Sequence, residues 1–548
     1  MDVAQLVGST IARLGAAHAF GVVGSGNFAF TNALRAAGVP FVATRHEGGA
    51  ITMADAYART SGRVAVVSTH QGCGFTNAMT GLGEAAKSRT PLLVLAADTA
   101  NGAVRSNFRI DQDAAARAVG AIAERVYSAR TAVADTVRAY ATAVHQRRAV
   151  VLNLPLDVQA QQAPAAGDIH PLAPSGVIRP DAAAVAALAD AIGRSRRPVF
   201  VAGRGARAAA APLRAVAELA GALLATSAVA NGLFHDDPWS LGISGGFASP
   251  LAAELISGAD MIVGWGCALN MWTMRHGTLI GPGATVVQVD VEQSALGADR
   301  AIDLGVLGDV GQTAADLHAE LTRRGHRASG YRDEQVRARI GAGVRWNGVP
   351  FAELSTAERI DPRTLSARLD ELLPAQRVVA VDSGNFMGYP SAYLSVPDEH
   401  GFCFTQAFQS IGLGLATAIG AALARPDRLP VAALGDGGFL MSVAEMDTVV
   451  RLGLPMVVVV YNDSAYGAEV HHFTDSSEDE LAPVRFPETD IAAIGRGFGA
   501  TGVTVRTSED LGAVADWLGG DRNTPLVVDA KIASDGGAWW LAEAFHQH

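Results

Sequence analysis

The stretch Pro430-Val431-Ala432-Ala433-Leu434-Gly435-Asp436-Gly437-Gly438 decides the fold when it is read with Val457-Val458-Val459-Val460-Tyr461-Asn462-Asp463-Ser464-Ala465-Tyr466-Gly467. Each stretch begins with an apolar run of strand length. Between them, from about Ser442 to Leu452, apolar and polar residues alternate at helical spacing. Two buried strands joined by a helix make a parallel βαβ unit, and such sheets bind ligands outside the carboxyl ends of their strands. Both runs place a carboxylate there, Asp436 and Asp463. Gly435, Gly437 and Gly438 leave backbone N–H groups free to approach a phosphate at a helix start. Two hard oxygen side chains and a free carbonyl suit Mg²⁺, which prefers phosphate oxygens and water for its remaining positions.

The same alternation extends outward over the whole chain. Residues 354–548 form one module, with further strands expected at Arg377–Asp382 and Pro525–Ala530. A module at 1–160 has strand-like runs at Ala19–Val23, Pro40–Thr44, Val64–Thr69, Pro91–Ala96 and Ala149–Leu154. A third, at 181–325, has them at Pro198–Ala202, Leu223–Thr226, Met261–Trp265 and Thr285–Val289. Polar connections at 160–180 and 323–353 separate the three. The expected class is α/β, three doubly wound parallel-sheet modules with helices on both faces. No internal repeat is evident.

Composition narrows the function. The chain has 548 residues and a net charge of −11 with no long basic cluster, which argues against a nucleic-acid partner. Its cysteines, Cys73, Cys267 and Cys403, are far apart and odd in number, as expected of a reducing compartment without a zinc site. The first residues lack a basic leader and no apolar run reaches about 18 residues, so a soluble cytoplasmic protein with no membrane partner is expected. The middle module contains Gly203-Arg204-Gly205-Ala206-Arg207-Ala208 after a strand, a match to G-x-G-x-x-A. No acidic residue follows at the spacing a ribose needs, so a tight strand–helix turn accounts for it better than a dinucleotide site.

In the first module three strand ends face the same carboxyl edge. Gly24-Ser25-Gly26-Asn27 follows one, Arg45-His46-Glu47-Gly48-Gly49 another, and Thr69-His70-Gln71-Gly72-Cys73-Gly74 the third. Glu47 opens a helix of small residues, where a carboxylate ordinarily serves the helix dipole. His70 could cap the next helix or act as an acid or base.

Taken together, the strand–Gly-Asp-Gly–helix–strand–Asn-Asp order, Glu47 and the three-module layout resemble the thiamine-diphosphate-dependent family that includes acetolactate synthase and benzoylformate decarboxylase. Asp463 stands where that family often has Asn, which keeps the oxygen ligand. The resemblance implies thiamine diphosphate and Mg²⁺ as cofactors. It implies Asp436, Asp463 and the Ala465 carbonyl as metal ligands. Gly435, Gly437, Gly438, Tyr466, Gly467, Asn385, Phe386 and Gln409 would lie about the cofactor, with Ile411 as the apolar wedge that bends it. Glu47 would bond the aminopyrimidine ring. Aligned on Phe20-Gly21, Gly24-Ser25 and Asn77-Ala78-Met79, the first module resembles benzoylformate decarboxylase, which gives Ser25 and His70 substrate and proton-relay roles. The resemblance also implies a dimer or tetramer with sites at the interface.

The expected activity is non-oxidative decarboxylation of a small-molecule 2-oxo acid, with carboligation to a second carbonyl as a further outcome. The alternatives are an acetolactate-synthase-like carboligase, a C–C lyase of the benzaldehyde lyase or 2-hydroxyacyl-CoA lyase type, and a catalytically idle binding protein on the same fold. Asn385-Phe386 stands where the synthases often have Gln-His.

Overall fold

The computed structural model describes residues 1–164, 169–170, 172–173, 176–328 and 330–541. Parts of the expected 160–180 connection and the end of the third module, 542–548, lie outside the described residues.

Among the described residues eighteen strands form three six-stranded sheets, and every paired strand is parallel. The first contains β1 (His18–Gly21), β2 (Phe41–Ala43), β3 (Ala65–Thr69), β4 (Leu92–Asp98), β5 (Ile122–Arg125) and β6 (Ala149–Pro155), in the order β2-β1-β3-β4-β6-β5. The second contains β7 (Pro198–Ala202), β8 (Leu223–Thr226), β9 (Ser240–Ile243), β10 (Met261–Trp265), β11 (Thr285–Asp290) and β12 (Leu304–Leu307), in the order β12-β11-β10-β7-β8-β9. The third contains β13 (Arg377–Val381), β14 (Phe402–Phe404), β15 (Leu429–Gly435), β16 (Val457–Asn462), β17 (Thr501–Val505) and β18 (Leu526–Lys531), in the order β14-β13-β15-β16-β18-β17. Central strands such as β4 and β16 are buried along their whole length. That is why they read as unbroken apolar runs, since helices cover both faces of a parallel sheet.

One relation was not foreseen and one expectation needs correction. The first and third sheets share one strand order, 2-1-3-4-6-5 in their own numbering, so they are topological copies although no repeat is visible in sequence. The helix after β15 starts at Asp436, not near Ser442. It runs as Asp436–Ser442, a 3₁₀ turn Val443–Glu445, and Met446–Arg451. Gly435 is its extended N-cap, so Asp436 lies in the first turn, where a carboxylate favours the helix dipole.

The two copied modules pack through equivalent helices, Glu47–Ser61 and Gly414–Ala424. Ile51, Met53 and Ala54 from the first share one hydrophobic cluster with Leu415, Ala418 and Ile419 from the second. Fully burying an Ile, Leu or Met contributes about 1.5–3 kcal/mol each. Gly420 permits the close approach: a Cβ there would lie 2.1 Å from the Met53 carbonyl oxygen. Among the described residues no helix is long and apolar enough to cross a membrane.

Candidate active site

Asp436 and Asp463 end up together because β15 and β16 are neighbours in register, with Gly435 opposite Tyr461. Asp436 is buried. Burial pushes both carboxyls above their ordinary range, and the charge of Asp436 pushes Asp463 up further. Neither has an ion pair among the described residues. Among those residues no three His, Cys, Asp or Glu side chains converge on one point, so the protein side chains here are these two carboxylates. A buried, mutually repelling pair of this kind fits a divalent cation, whose other ligands would be a carbonyl and phosphate oxygens.

The turn after β16 is held open on purpose. Ser464 adopts the left-handed conformation (φ 60°), at an order-of-magnitude cost of about 1 kcal/mol. Asn462 holds it there by accepting from the Ser464 N–H at 3.1 Å, while its own amide donates to Asp529 at 2.8 Å. Ala465 N–H donates to Asp463 at 3.2 Å. A Cβ at Gly467 would meet Asp463 Oδ2 at 2.2 Å, and one at Gly437 would meet the Tyr466 ring at 2.6 Å. These glycines are therefore required by close approach before any ligand is considered.

The expected cofactor contacts of the third module are placed in three different settings. Asn385 is nearly buried beside Gly467 and accepts from Ala538 N–H at 3.2 Å. Phe386 lies in the core, stacked on Tyr461 with ring centroids 5.3 Å apart, and fills the space under Gly435. Gln409 is exposed, with φ 57°, and Ile411 is half-buried, not fully buried as a core Ile would be.

One residue beside them was not singled out in sequence. Asp382 is fully buried and accepts from the N–H groups of Ser383, Gly412 and Leu413 at 2.9, 2.9 and 3.2 Å. Burial pushes its carboxyl up to about 6, against those hydrogen bonds. It also lies where a Gly438 Cβ would be, 2.3 Å away, so it ties the Ile411 loop to the Gly-Asp-Gly-Gly turn. An acidic residue ending an apolar strand before a Gly loop was the available signal.

In the first module the three strand ends do converge. Glu47 is 8 % exposed, and its Oε2 accepts from the Asn77 amide at 3.0 Å. Its Oε1 faces Gly74, where a Cβ would lie 3.0 Å from it and 3.0 Å from the His70 Cβ. His46 caps the helix by accepting from Gly48 N–H at 3.0 Å. His70 Nδ1 lies 2.9 Å from the Gln71 carbonyl, which can only accept, so Nδ1 carries the proton. Nε2 is then the acceptor that faces Ser25 Oγ at 3.4 Å, the long end of hydrogen-bond distance. Ser25 itself is exposed.

A cavity of about 270 Å³ opens at the third-module site, lined by Asn385, Asp463, Ala465, Gly467, His471 and Asp535 among others, and every residue of its wall comes from that module. Burial holds the His471 imidazole below its ordinary pKa. The acidic segment beyond it carries a short capped helix, Glu478–Leu481.

The middle module has the strand order of a dinucleotide-binding sheet, read as 3-2-1-4-5-6 from its other edge. Its Gly203–Arg207 loop is nevertheless occupied by protein. Gly203 N–H donates to Trp265 O and Gly205 N–H to Gly266 O, at 2.9 and 3.0 Å. A Cβ at Gly203 would meet Gly266 O at 2.3 Å. The glycines of the G-x-G-x-x-A match serve loop–loop packing at the β7–β10 switch point.

Comparison with known proteins identifies the family. Three family models match: the N-terminal TPP binding domain of thiamine pyrophosphate enzymes over residues 1–117, the central domain over 185–317, and the C-terminal TPP binding domain over 382–530. The chain is 27 % identical to sulfoacetaldehyde acetyltransferase of Alcaligenes xylosoxydans xylosoxydans, over 91 % of this chain and 87 % of that protein. It is 29 % identical to a protein of Pseudomonas aeruginosa named "Probable 2-ketoarginine decarboxylase", over 91 % and 88 %. It is 27 % identical to the acetolactate synthase large subunit of Parasynechococcus marenigrum, over 90 % and 81 %. With all three domain models matched in order on three parallel sheets, the chain belongs to the family of thiamine-diphosphate-dependent enzymes.

Proposed function

We propose that this enzyme decarboxylates a 2-oxo acid without oxidation, using thiamine diphosphate and Mg²⁺, and either releases an aldehyde or passes the remaining fragment to a second carbonyl. The observation that carries this reading is the Ser25–His70 pair beside Glu47 on one sheet edge. Bound thiamine diphosphate would supply the electron sink that lets a 2-oxo acid lose CO₂. Asp436, Asp463 and the Ala465 carbonyl would hold the cation, while Gly437, Gly438 and Gly467 let Tyr466, Asp382 and Asp463 close in around that turn. Asn77 fixes one Glu47 oxygen, so the other, on the Gly74 side, would be the one that holds or gives up a proton when the cofactor is bound. His70, with Nε2 free of its own proton, takes one from Ser25 or solvent and returns it to product. We also propose at least a dimer, in which Glu47 of one chain completes the cavity of the other. The all-third-module wall of that cavity supports this reading.

A second reading is acyl transfer or carboligation as the main outcome, favoured by the acetyltransferase and acetolactate synthase among the relatives. CO₂ release with Mg²⁺ and thiamine diphosphate, across pyruvate, branched 2-oxo acids and benzoylformate, separates the two. CO₂ with free aldehyde supports the decarboxylase. CO₂ with a hydroxyketone or acetolactate-type acid supports the ligase. No CO₂ from any of them, with the cofactor bound, overturns both and leaves a lyase acting on a hydroxyketone or an acyl-CoA.

A further inference from the structure

Two buried carboxylates cross the boundary between the copied modules in opposite directions. Glu445, 2 % exposed, belongs to the turn that follows the Asp436–Ser442 helix of the third module. Its Oε1 accepts from the main-chain N–H of Arg45 at 3.1 Å and of His46 at 3.0 Å, the two residues before Glu47. Its Oε2 accepts from the Thr448 hydroxyl at 2.6 Å. Gly49 makes room, since a Cβ there would lie 2.4 Å from Glu445 Oε1. Asp447 reinforces the contact by pairing with the Arg45 side chain at 2.7 Å.

Glu84, 1 % exposed, lies on helix Met79–Lys87 of the first module. It accepts from the main-chain N–H of Ala407 at 3.2 Å and of Phe408 at 2.7 Å, the two residues before Gln409. Ser88 donates to it at 3.1 Å and Arg59 pairs with it at 2.7 Å. Gly83 makes room for the Phe408 ring, 2.9 Å from where its Cβ would be.

The two contacts occupy equivalent places. Each carboxylate follows the strand in third position of its sheet, β3 or β15. Each grips the loop after β2 or β14, in the second-strand place of the other sheet, just before the helix that forms the module boundary. A loop of this kind needs fixing because its N–H groups precede a helix and have no helical partner. A carboxylate taking two N–H groups makes charge-assisted bonds of the stronger kind.

We propose that Glu445 and Glu84 are reciprocal positioning residues: each belongs to one cofactor module and fixes, through two main-chain N–H groups, the loop of the other module that carries a cofactor contact. Glu445 sets Glu47. Glu84 sets Gln409 to Ile411. The assignment of Glu47 and Ile411 rests on the function proposed above, whereas the two contacts themselves do not. Glu445 also lies on the same helical run as Asp436, so the Asp436 helix and the Glu47 loop of one chain are tied together.

Glu445→Ala and Glu84→Ala, each beside its Gln counterpart, test this in the full-length protein. Hydrogen–deuterium exchange of the cofactor-free protein is the first readout. In Glu445→Ala the amides of Arg45 and His46 should exchange about 10-fold faster or more, and in Glu84→Ala those of Ala407 and Phe408. Thiamine diphosphate binding and turnover are the second. Glu445→Ala should lose about 100-fold in kcat with cofactor Kd changed less than about 3-fold, because Glu47 is displaced but the diphosphate cradle is not. Glu84→Ala should show the opposite split, with cofactor Kd raised about 10-fold. Gln keeps an acceptor oxygen, so it should recover both losses.

Unchanged exchange at these amides, or equal losses of kcat and affinity in both variants, overturns the proposal. So does a fall in melting temperature alone. If either Ala variant fails to fold, Gly49→Ala displaces Glu445 from the other side and must reproduce its kcat loss. Should wild-type protein not bind thiamine diphosphate, the functional reading fails, and the exchange data alone decide whether the two carboxylates hold these loops.

Discussion

The first and third modules have the same strand order and contribute opposite chemistry. At the carboxyl edge of the first sheet sit a single carboxylate, an imidazole and a hydroxyl: Glu47, His70 and Ser25. At the same edge of the third sit two carboxylates that repel each other, Asp436 and Asp463. Topology fixes where a site forms, and the loop residues decide what it can do. The first edge suits proton traffic. Under the proposed function the third would hold a cation.

Four experiments break or sharpen that contrast. Glu47→Gln should cost about 10²–10⁴-fold in turnover while thiamine diphosphate still binds, because only the proton-exchanging group is lost. Retained turnover would remove Glu47 from the chemistry. Asp463→Asn keeps an oxygen ligand but loses its charge, so it should weaken Mg²⁺ by about 10-fold or less, measured by titrating the cofactor-depleted protein. The same change removes a repelling buried charge, so the metal-free protein should melt at an equal or higher temperature. A lower metal-free melting point would mean that the pair is not repulsive.

Gly420→Ala addresses the boundary between the modules. Its Cβ would meet the Met53 carbonyl at 2.1 Å, so we expect about 1–3 kcal/mol of destabilisation in urea. An unaffected midpoint would show that the modules separate at little cost.

The smallest effect is the pH dependence of metal stabilisation. The folded pKa values of Asp436 and Asp463 are raised above the ordinary carboxylate range. Stability from the protonated pair is therefore present at low pH and lost as pH rises through those raised values. Mg²⁺ replaces the protons, so its shift in melting temperature should be larger at about pH 8 than at about pH 5.5. A larger shift at the acid end would contradict the assigned ligands.

Most of the fold was legible because buried parallel strands are continuous apolar runs. The strands that escaped notice were β5, β9, β12, β14 and β17, and each lies at a sheet edge. Edge strands are covered less completely, so a sequence such as Ile122-Ala123-Glu124-Arg125 carries no strong apolar signal. The paired carboxylates, the glycine turns and the Glu47 helix could be read directly, since each depends on residue types at short spacing.

Asp382, Glu84 and Glu445 could not be read in that way. Each acts on main-chain N–H groups supplied by distant segments, and a backbone N–H has no sequence signature. The shared strand order of the first and third modules was hidden for the same reason, because it resides in strand neighbours and not in similar residues. The sequence by itself determined the α/β class and the family, and it supplied the residue types of the proposed site. Only the tertiary structure decided that Phe386 belongs to the core, that the Gly203–Arg207 loop is filled by Gly266, and that two carboxylates cross the module boundary. Local patterns record what each segment buries and where it turns, whereas contacts between segments far apart in sequence exist only once the sheets are stacked.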